Sequence, residues 1–114
     1  MSLHSEENSP LMPTDFQASI RAIAHPVRRE ILQWLKEPLR NFPDQEYGQH
    51  LGVCVGQIVL RCGISQSTVS SHLALLKGAG LVDERKCGTV RFLRRNEACI
   101  RGVVILLASQ LQAE

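Results

Sequence analysis

Apolar residues that recur every three or four positions predict two helices in the first third of the chain. Thr14-Asp15 offers an N-cap for the segment FQASIRAIA. His25-Pro26 interrupts the pattern, and proline is favoured in the first turn of a helix, so VRREILQWLKE is predicted to form a second helix that ends before Pro38. His25 is expected to cap this second helix or to pack at its start. The apolar positions that set the two periodicities are Phe16, Ile20, Ile23, Val27, Ile31 and Leu35.

The segments on either side of these helices lack such a pattern. Residues 1–13 contain Ser, Asn and prolines, and they are predicted to be a disordered or loosely attached tail ahead of one domain at residues 14–114. Residues 38–50, PLRNFPDQEYGQH, are predicted to be a loop because they combine two prolines, a glycine and mixed polar residues.

The middle of the chain predicts two helices joined by a short turn. The first covers about residues 53–61 and is followed by Gly63 at a C-cap position, and the second starts after Ser65, a good N-cap. Gly78 and Gly80 end the second helix. Its inward stripe, at positions i, i+4 and i+7, is Val69, Leu73 and Leu76. Two helices joined by so short a turn, the second polar on its outer face, are typical of a helix-turn-helix.

A hairpin and a last helix complete the predicted fold. LVDERK and TVRFLRR are predicted to be two strands joined around Cys87-Gly88, where a glycine allows a tight turn. Asn96, followed by Glu97, is predicted to cap a helix that runs to about residue 112. The fold class is therefore mainly α with a small β-hairpin, a winged helix-turn-helix in the order α-α-α-α-β-β-α.

The second helix of the predicted helix-turn-helix is uncharged on its outer face. Residues 66–76 contain no Glu, Lys or Arg, which an ordinary surface helix would favour. Short hydroxyl and amide side chains let a helix approach a DNA major groove and form hydrogen bonds with base edges or phosphates. An ordinary solvated face is the alternative interpretation, and for His72, beside the inward stripe, a packed role is an equal alternative. The residues of this helix predicted to bind DNA are Gln66, Ser67, Thr68, Ser70, Ser71 and His72.

Charge is distributed unevenly along the chain, although the formal net charge is only +2. Residues 1–15 are acidic, whereas residues 65–95 carry six Lys and Arg against two Asp and Glu, a local net charge of +4. A basic block confined to one structural unit is the expected footprint of phosphate contact, with solvated surface charge as the alternative. Basic residues around the hairpin fit a wing that contacts the phosphate backbone or the minor groove. The basic residues predicted to bind DNA are Lys77, Arg85, Lys86 and Arg91.

The segment ISQSTVSSHLALLKGAGLVDERKCGTVRF resembles the recognition helix and wing of the arsenic-repressor (ArsR) family of bacterial winged-helix regulators. AIAHPVRREILQWL is similar to the second helix of that family, which usually opens with Ala-His-Pro-x-Arg and continues with Ile-Leu. Together the resemblance covers about residues 16–112. It implies a homodimeric transcriptional repressor that binds a palindromic operator in double-stranded DNA and is released by an inducer or signal, with the first and last helices forming the dimer interface.

The last helix supports a dimer independently of this resemblance. In CIRGVVILLASQL, Ile105 and Leu106 make the apolar stripe wider than one core contact needs. We expect a helix that is so broadly apolar to be buried on two sides, by its own domain and by a partner. A twofold dimer then presents two recognition helices about one helical turn of DNA apart. The predicted dimer residues are Phe16, Ile20, Ile23, Ile100, Val103, Val104, Leu107 and Leu111.

The cysteines do not complete a known metal site of the family. Its metal-sensing members carry Glu-Leu-Cys-Val-Cys-Asp-Leu in the helix before the turn. Cys54 matches the first cysteine of that stretch, but Gly56 and Gln57 replace the second cysteine and the following acid. One thiol cannot complete a site of three or four soft ligands, and residues 97–112 contain no His for the family's other site. No metal and no cofactor are predicted.

Thiol-based redox sensing is a separate hypothesis. Cys54 and Cys62 on one helix would be about 12 Å apart along its axis, beyond the roughly 7 Å that a disulfide can bridge, and Cys62 is interpreted as a packed thiol. Cys87 near the wing tip and Cys99 in the first turn of the last helix are expected to be more exposed, and a thiol near a helix N-terminus has a lowered pKa. The redox candidates are Cys54, Cys87 and Cys99.

Other classes of protein are less well supported by the sequence. The opening MSLHSEENSP is polar, and the longest apolar run, GVVILLA, is far below the roughly 18 residues that span a bilayer, so a cytoplasmic protein without a membrane partner is expected. No Ser-His-Asp order, Gly-rich phosphate loop or paired-carboxylate cluster indicates an enzyme. The alternative function is a winged-helix protein-interaction module without specific DNA binding.

Overall fold

The computed structural model describes residues 13–113, with side chains from Phe16 onward. Over this range the helices are α1 (Pro13–Ile23), α2 (Pro26–Lys36), α3 (Pro38–Asn41), α4 (Val55–Cys62), α5 (Gln66–Gly78) and α6 (Glu97–Leu111). The strands are β1 (Val53–Cys54), β2 (Val82–Cys87) and β3 (Val90–Arg95). The tail predicted at residues 1–13 lies outside the described residues, apart from Pro13. Within the described range no helix combines the length and the apolar character needed to cross a bilayer.

Several predicted helix ends are confirmed by their cap geometry. His25 caps α2, because its Nδ1 accepts a hydrogen bond from the backbone N–H two residues on at 3.1 Å. The side chains of Ser65 and Asn96 each accept a hydrogen bond from the backbone N–H three residues on, at 3.2 Å and 3.1 Å, and so begin α5 and α6. Gly63 ends α4 with a φ of 68°, a left-handed conformation that favours glycine.

Two predictions about the first half of the chain were wrong. Helix α1 begins at Pro13, so Thr14 and Asp15 lie in its first turn rather than at its N-cap. Within the predicted loop at 38–50, Pro38–Asn41 form one helical turn, closed by the Phe42 N–H, which donates to the Pro38 carbonyl at 2.8 Å. A proline in the first turn of a helix loses no hydrogen bond, because the N–H it lacks has no partner there, so these prolines start helical turns.

A short strand replaces the predicted start of α4. Strand β1 pairs antiparallel with β3, with Val53 opposite Leu93, and the sheet has three strands in the order β1-β3-β2. The buried Gln45 amide holds β1 in place: its Oε1 accepts from the Cys54 N–H at 2.8 Å and its Nε2 donates to the Gly52 carbonyl at 3.0 Å. Pairing with β3 therefore overrides the helical spacing of the apolar residues, and α4 begins two residues later than predicted.

One core joins the helices to the sheet and fixes the orientation of α5. The predicted inward stripe of α5 is buried, which confirms that prediction. Helix α5 packs against α1, α2, α4 and β2. The stripe lies in the same apolar cluster as Ile31, Ile58, Leu81 and Leu93, which are almost fully buried. Because one side of α5 is fixed in this core, its opposite side faces solvent.

Candidate nucleic-acid interface

Helices α4 and α5 form the helix-turn-helix, and α5 presents a polar surface to solvent. The turn between the two helices consists of residues 63–65. Most of the α5 residues predicted to bind DNA lie together on its outer surface. Exposed members of this set are Gln66, Ser67, Thr68 and Ser71, and Ser70 is half-buried.

Local hydrogen bonds orient the hydroxyl groups of this surface. Ser65 Oγ lies 2.7 Å from Thr68 Oγ1, and Ser71 Oγ donates to the Ser67 carbonyl at 3.2 Å. A hydroxyl that donates one hydrogen bond keeps its lone pairs for accepting others. Ser71 therefore presents an acceptor on a short side chain, which suits a base amino group at close range.

The β2–β3 hairpin follows α5 directly and carries exposed cations. Gly88 forms its turn with a φ of 63°, and Lys86 lies opposite Arg91 across the two strands. Arg85, Lys86 and Arg91 are all exposed. A small cleft lined by residues of both α5 and the hairpin, Ser70 and Arg91 among them, shows that the two elements are adjacent. The hairpin thus places Arg91, with Lys86 opposite it, on the face that adjoins α5. Arg85 pairs with Phe92 and lies on the other face of the hairpin, because successive side chains of a strand alternate between faces.

Glu84 links α5 to the hairpin, a role that sequence reasoning missed. One of its carboxylate oxygens lies 3.3 Å from Lys77 Nζ and 3.6 Å from Arg91 Nη1, and its side chain is only 12% exposed. The strand register places Glu84 diagonally across from Arg91, because Lys86 lies opposite Arg91. The hairpin sequence is therefore enough to predict that Glu84 and Arg91 lie close together. It does not indicate that Lys77, on a separate helix, lies beside them.

His72 does not lie on the exposed surface of α5. It is 8% exposed, its Nδ1 lies 2.9 Å from Arg28 Nη1, and its ring centroid lies 4.6 Å from that of His25. Burial first, and then the neighbouring His25 and Arg28, lower the pKa of His72 below its ordinary value. The ring packs against Arg28 and His25, so the structure supports the packed interpretation, and His72 is left out of the DNA-contacting set proposed below.

A second exposed surface, apolar rather than polar, lies on α6. Val104 is 59% exposed and Ile105 is 66% exposed, and Leu111 near the end of the helix is exposed as well. The other predicted dimer residues divide into two groups. Phe16 and Val103 are buried in the core of their own chain, so they are not available as surface contacts. Val103 lies one helical turn after Cys99, which is also buried, on the inner side of α6. The half-buried members are Ile20, Ile23, Ile100 and Leu107.

The four cysteines lie in different environments. Cys87 is exposed as predicted, but Cys99 is buried, so the expectation of an exposed thiol at that position was wrong: the first turn of α6 packs into the core. Cys54 and Cys62 are half-buried. Burial, and then the nearby Glu30, raise the pKa of the Cys62 thiol, which lowers its thiolate fraction and its reactivity. Over the described part of the chain, no three His, Cys, Asp or Glu side chains lie close enough together to hold a metal ion.

Comparisons with known proteins match this arrangement. The family model described as "Bacterial regulatory protein, arsR family" matches residues 53–84, from β1 into β2. The chain is 36% identical over 93 residues to YbzH, a helix-turn-helix-type transcriptional regulator of Bacillus subtilis (strain 168), with 80% of this chain and 93% of that protein covered. It is also 36% identical over 90 residues to ArsR2 of Halobacterium salinarum, named as a candidate arsenical resistance operon repressor, with 79% of this chain and 66% of that protein covered.

A solved structure carries the same fold. The crystal structure of an ArsR family transcriptional regulator superposes with a TM-score of 0.67 at 20% identity, covering 88% of this chain and 90% of that one. The predicted winged helix-turn-helix fold is therefore confirmed, with β1 as an addition. The family model matches the helix-turn-helix, and the similarity to YbzH extends over most of both chains. This chain therefore belongs to the ArsR family of bacterial transcriptional regulators.

Proposed function

We propose that this ArsR-family regulator is a homodimeric repressor that binds a palindromic operator in double-stranded DNA and is released by a signal. The observation that carries the proposal is the exposed surface of α5, which is small and uncharged and is flanked by the cations of the hairpin. A surface of this kind fits a major groove, and the cations beside it match the phosphates on the groove edge. The name of ArsR2, a repressor, supports the direction of regulation.

The proposed interface divides into two kinds of contact. Short polar side chains of α5 contact base edges and nearby phosphates, and the cations contact phosphates without reading the sequence. In the free protein Lys77 and Arg91 share the Glu84 carboxylate, so binding exchanges part of that ion pairing for phosphate. The base-contacting set is Gln66, Ser67, Thr68, Ser70 and Ser71, and the phosphate-contacting set is Lys77, Arg85, Lys86 and Arg91.

The apolar surface of α6 supports the dimer. Val104 and Ile105 are more than half exposed on a helix whose other side is already in the core. Helix α1 packs against α6, so its half-buried residues Ile20 and Ile23 extend the proposed interface. A twofold interface formed by these two helices buries the apolar surface and pairs two copies of α5 on one side of a duplex.

A fluorescence-anisotropy titration tests the proposal. The duplex is the DNA upstream of the protein's own gene, the control is a shuffled duplex of equal length, and each is titrated at several salt concentrations. We expect preference for one palindromic segment and a salt slope of up to about −7, if the four proposed cations of each chain all contact phosphate in the dimer. Equal affinity for the two duplexes would contradict the proposal and favour a protein-interaction module.

A further inference from the structure

Arg28, in the first turn of α2, connects three helices through its guanidinium group. Its Nε donates to the Ala22 carbonyl at 2.6 Å and its Nη2 donates to the Arg21 carbonyl at 3.2 Å. Both carbonyls belong to the last turn of α1, where helix carbonyls lack partners within the helix. The third contact, from Nη1 to His72 Nδ1 at 2.9 Å, reaches α5. One side chain therefore joins the end of α1 and the start of α2 to the middle of the recognition helix.

The contact with Arg28 defines the protonation state of His72. A guanidinium group has N–H donors and no acceptor, so His72 Nδ1 must be the acceptor. His72 is therefore neutral, with its proton on Nε2. If Nδ1 took up a proton, two donors and two positive charges would face each other at this distance, in a site that is 8% exposed.

The groups around His72 offer nothing that would compensate such a charge. From the α2 side it is faced by Arg28 and by the ring of His25, which caps that helix. The Arg21 side chain on α1 is exposed, and only its carbonyl takes part, through Arg28.

The carboxylates Glu30 and Glu84, on elements packed against α5, interact with other residues. Glu30 of α2 acts on Cys62 at the end of α4, and Glu84 of β2 is paired with Lys77 and Arg91. Among the described residues, therefore, the groups that act electrostatically on His72 are His25 and the Arg28 guanidinium, and neither is a carboxylate.

We propose that Arg28 and His72 are positioning residues that hold the recognition helix on α1 and α2 only while His72 is neutral, so that acidification weakens DNA binding. The inference rests on the proposed DNA-binding function. If α1 also forms the dimer interface, the pair joins that interface to the helix that contacts DNA.

The direction in which the pKa of His72 is shifted determines whether acidification strengthens or weakens the folded arrangement. Burial, and then the neighbouring His25 and Arg28, lower the pKa of His72 in the folded chain. A lowered pKa means that the unfolded chain binds more protons, so the stabilisation is fully present above the ordinary histidine pKa of about 6.5 and is lost as the pH falls below it. Protonation of an exposed histidine has the opposite effect on DNA binding, because it adds a cation near phosphates.

The test measures operator affinity from about pH 8 to about pH 5.5, on either side of the ordinary histidine pKa, at constant ionic strength. The wild-type chain is expected to lose about tenfold or more in affinity over this range, as for the loss of one hydrogen bond to a charged group. His72→Asn offers an amide oxygen in place of Nδ1 and does not titrate, so it should bind at the upper pH and lose the dependence. His25→Asn, which keeps a good N-cap, and exposed His50→Asn should both retain it.

Each result decides one of the two proposals. Affinity that rises or stays constant on acidification, or a His72→Asn chain with the wild-type profile, overturns the positioning role. Absence of wild-type binding at the upper pH contradicts DNA binding instead.

If the wild type does not bind DNA at the upper pH, or if His72→Asn does not fold, NMR titration of the wild-type histidines tests the contact between Arg28 and His72 without DNA. The proposal requires His72 to titrate below about pH 6.5, with amide shifts in α5 that follow the same curve. A His72 that titrates at or above that value overturns it.

Discussion

The outer surfaces of α5 and α6 differ in chemistry, although both helices bury their other side in one core. Helix α5 presents hydroxyl and amide groups, with Leu75 as a half-exposed apolar residue near its end, whereas α6 presents Val104 and Ile105. A partner on α5 must offer hydrogen bonds to short polar side chains, and a partner on α6 must remove apolar area from water. A DNA groove meets the first requirement, and a second copy of α6 meets the second.

The two surfaces also differ in the free energy that each residue contributes. Burying a Val or Ile side chain is favourable by about 1.5–3 kcal/mol, whereas a neutral hydrogen bond contributes only about 0.5–1.5 kcal/mol net. We therefore expect α6 to provide association energy and α5 to provide discrimination between DNA sequences. Substitutions that affect one surface and leave the other intact can test this division.

The largest effect is expected for Ser71→Glu. It places a carboxylate in the negative field of the groove on both recognition helices, and like charges brought together at an interface cost several kcal/mol. Operator affinity should fall about 1000-fold, given that 1.4 kcal/mol corresponds to tenfold. Anisotropy titration measures the affinity, and sedimentation velocity should show an unchanged dimer.

The matched control is Gln33→Glu, which adds the same charge at an exposed position of α2. It should bind within a few-fold of the wild type. If Ser71→Glu did so too, the assignment of the α5 surface to DNA would be wrong.

Val104→Glu is expected to have the next largest effect, on the other surface. Each dimer would lose two buried valines, at about 1.5 kcal/mol or more each, so its dissociation constant should rise about 100-fold. Sedimentation equilibrium measures this constant, with Gln33→Glu again as the control. A dimer of wild-type strength would remove α6 from the interface.

Arg91→Ala should have a smaller effect that does not depend on sequence. The lost phosphate contact should weaken binding to operator and shuffled DNA alike by several-fold and reduce the salt slope by about one for each Arg91 in the complex. Glu84→Gln should act in the opposite direction, since it releases Lys77 and Arg91 from a shared carboxylate. Titrations at several salt concentrations measure both. A selective loss on the operator would instead make Arg91 a base contact.

The smallest effects on binding are expected from the two helix caps. Ser65→Ala and Asn96→Ala each remove a side-chain acceptor at a helix start and should lower the free energy of unfolding by about 1 kcal/mol, measured by urea denaturation. Only Ser65→Ala should also reduce operator affinity, by a few-fold, because Ser65 begins the recognition helix. If Asn96→Ala reduced operator affinity as much as Ser65→Ala, DNA binding would depend on α6 as well as on α5, which would contradict the division between the two helices.

Local rules were enough to predict most of the helix-turn-helix. The left-handed Gly63, the Ser65 cap and the inward stripe on α5 each depend on residues within a few positions of one another. Such short-range patterns determine which side of α5 is exposed, and therefore which of its side chains form the polar surface.

Features that depend on distant residues could not be predicted in this way. Val53 joins a sheet because Leu93 pairs with it, and His72 packs against Arg28 and His25 of another helix. Periodicity indicated that α6 is apolar on two sides but not that Val103 belongs to the core and Ile105 to the surface. Each of these outcomes is determined by tertiary packing, which apolar spacing along one segment does not encode.

Hydroxyl-radical footprinting of the upstream DNA tests most directly whether α5 binds DNA from a dimer formed through α6. The wild-type chain should protect two segments whose centres are about 10–10.5 base pairs apart, one for each recognition helix. Ser71→Glu should abolish both protections at the same protein concentration, although it remains a dimer. A single protected segment, or protection that persists in Ser71→Glu, would contradict the account.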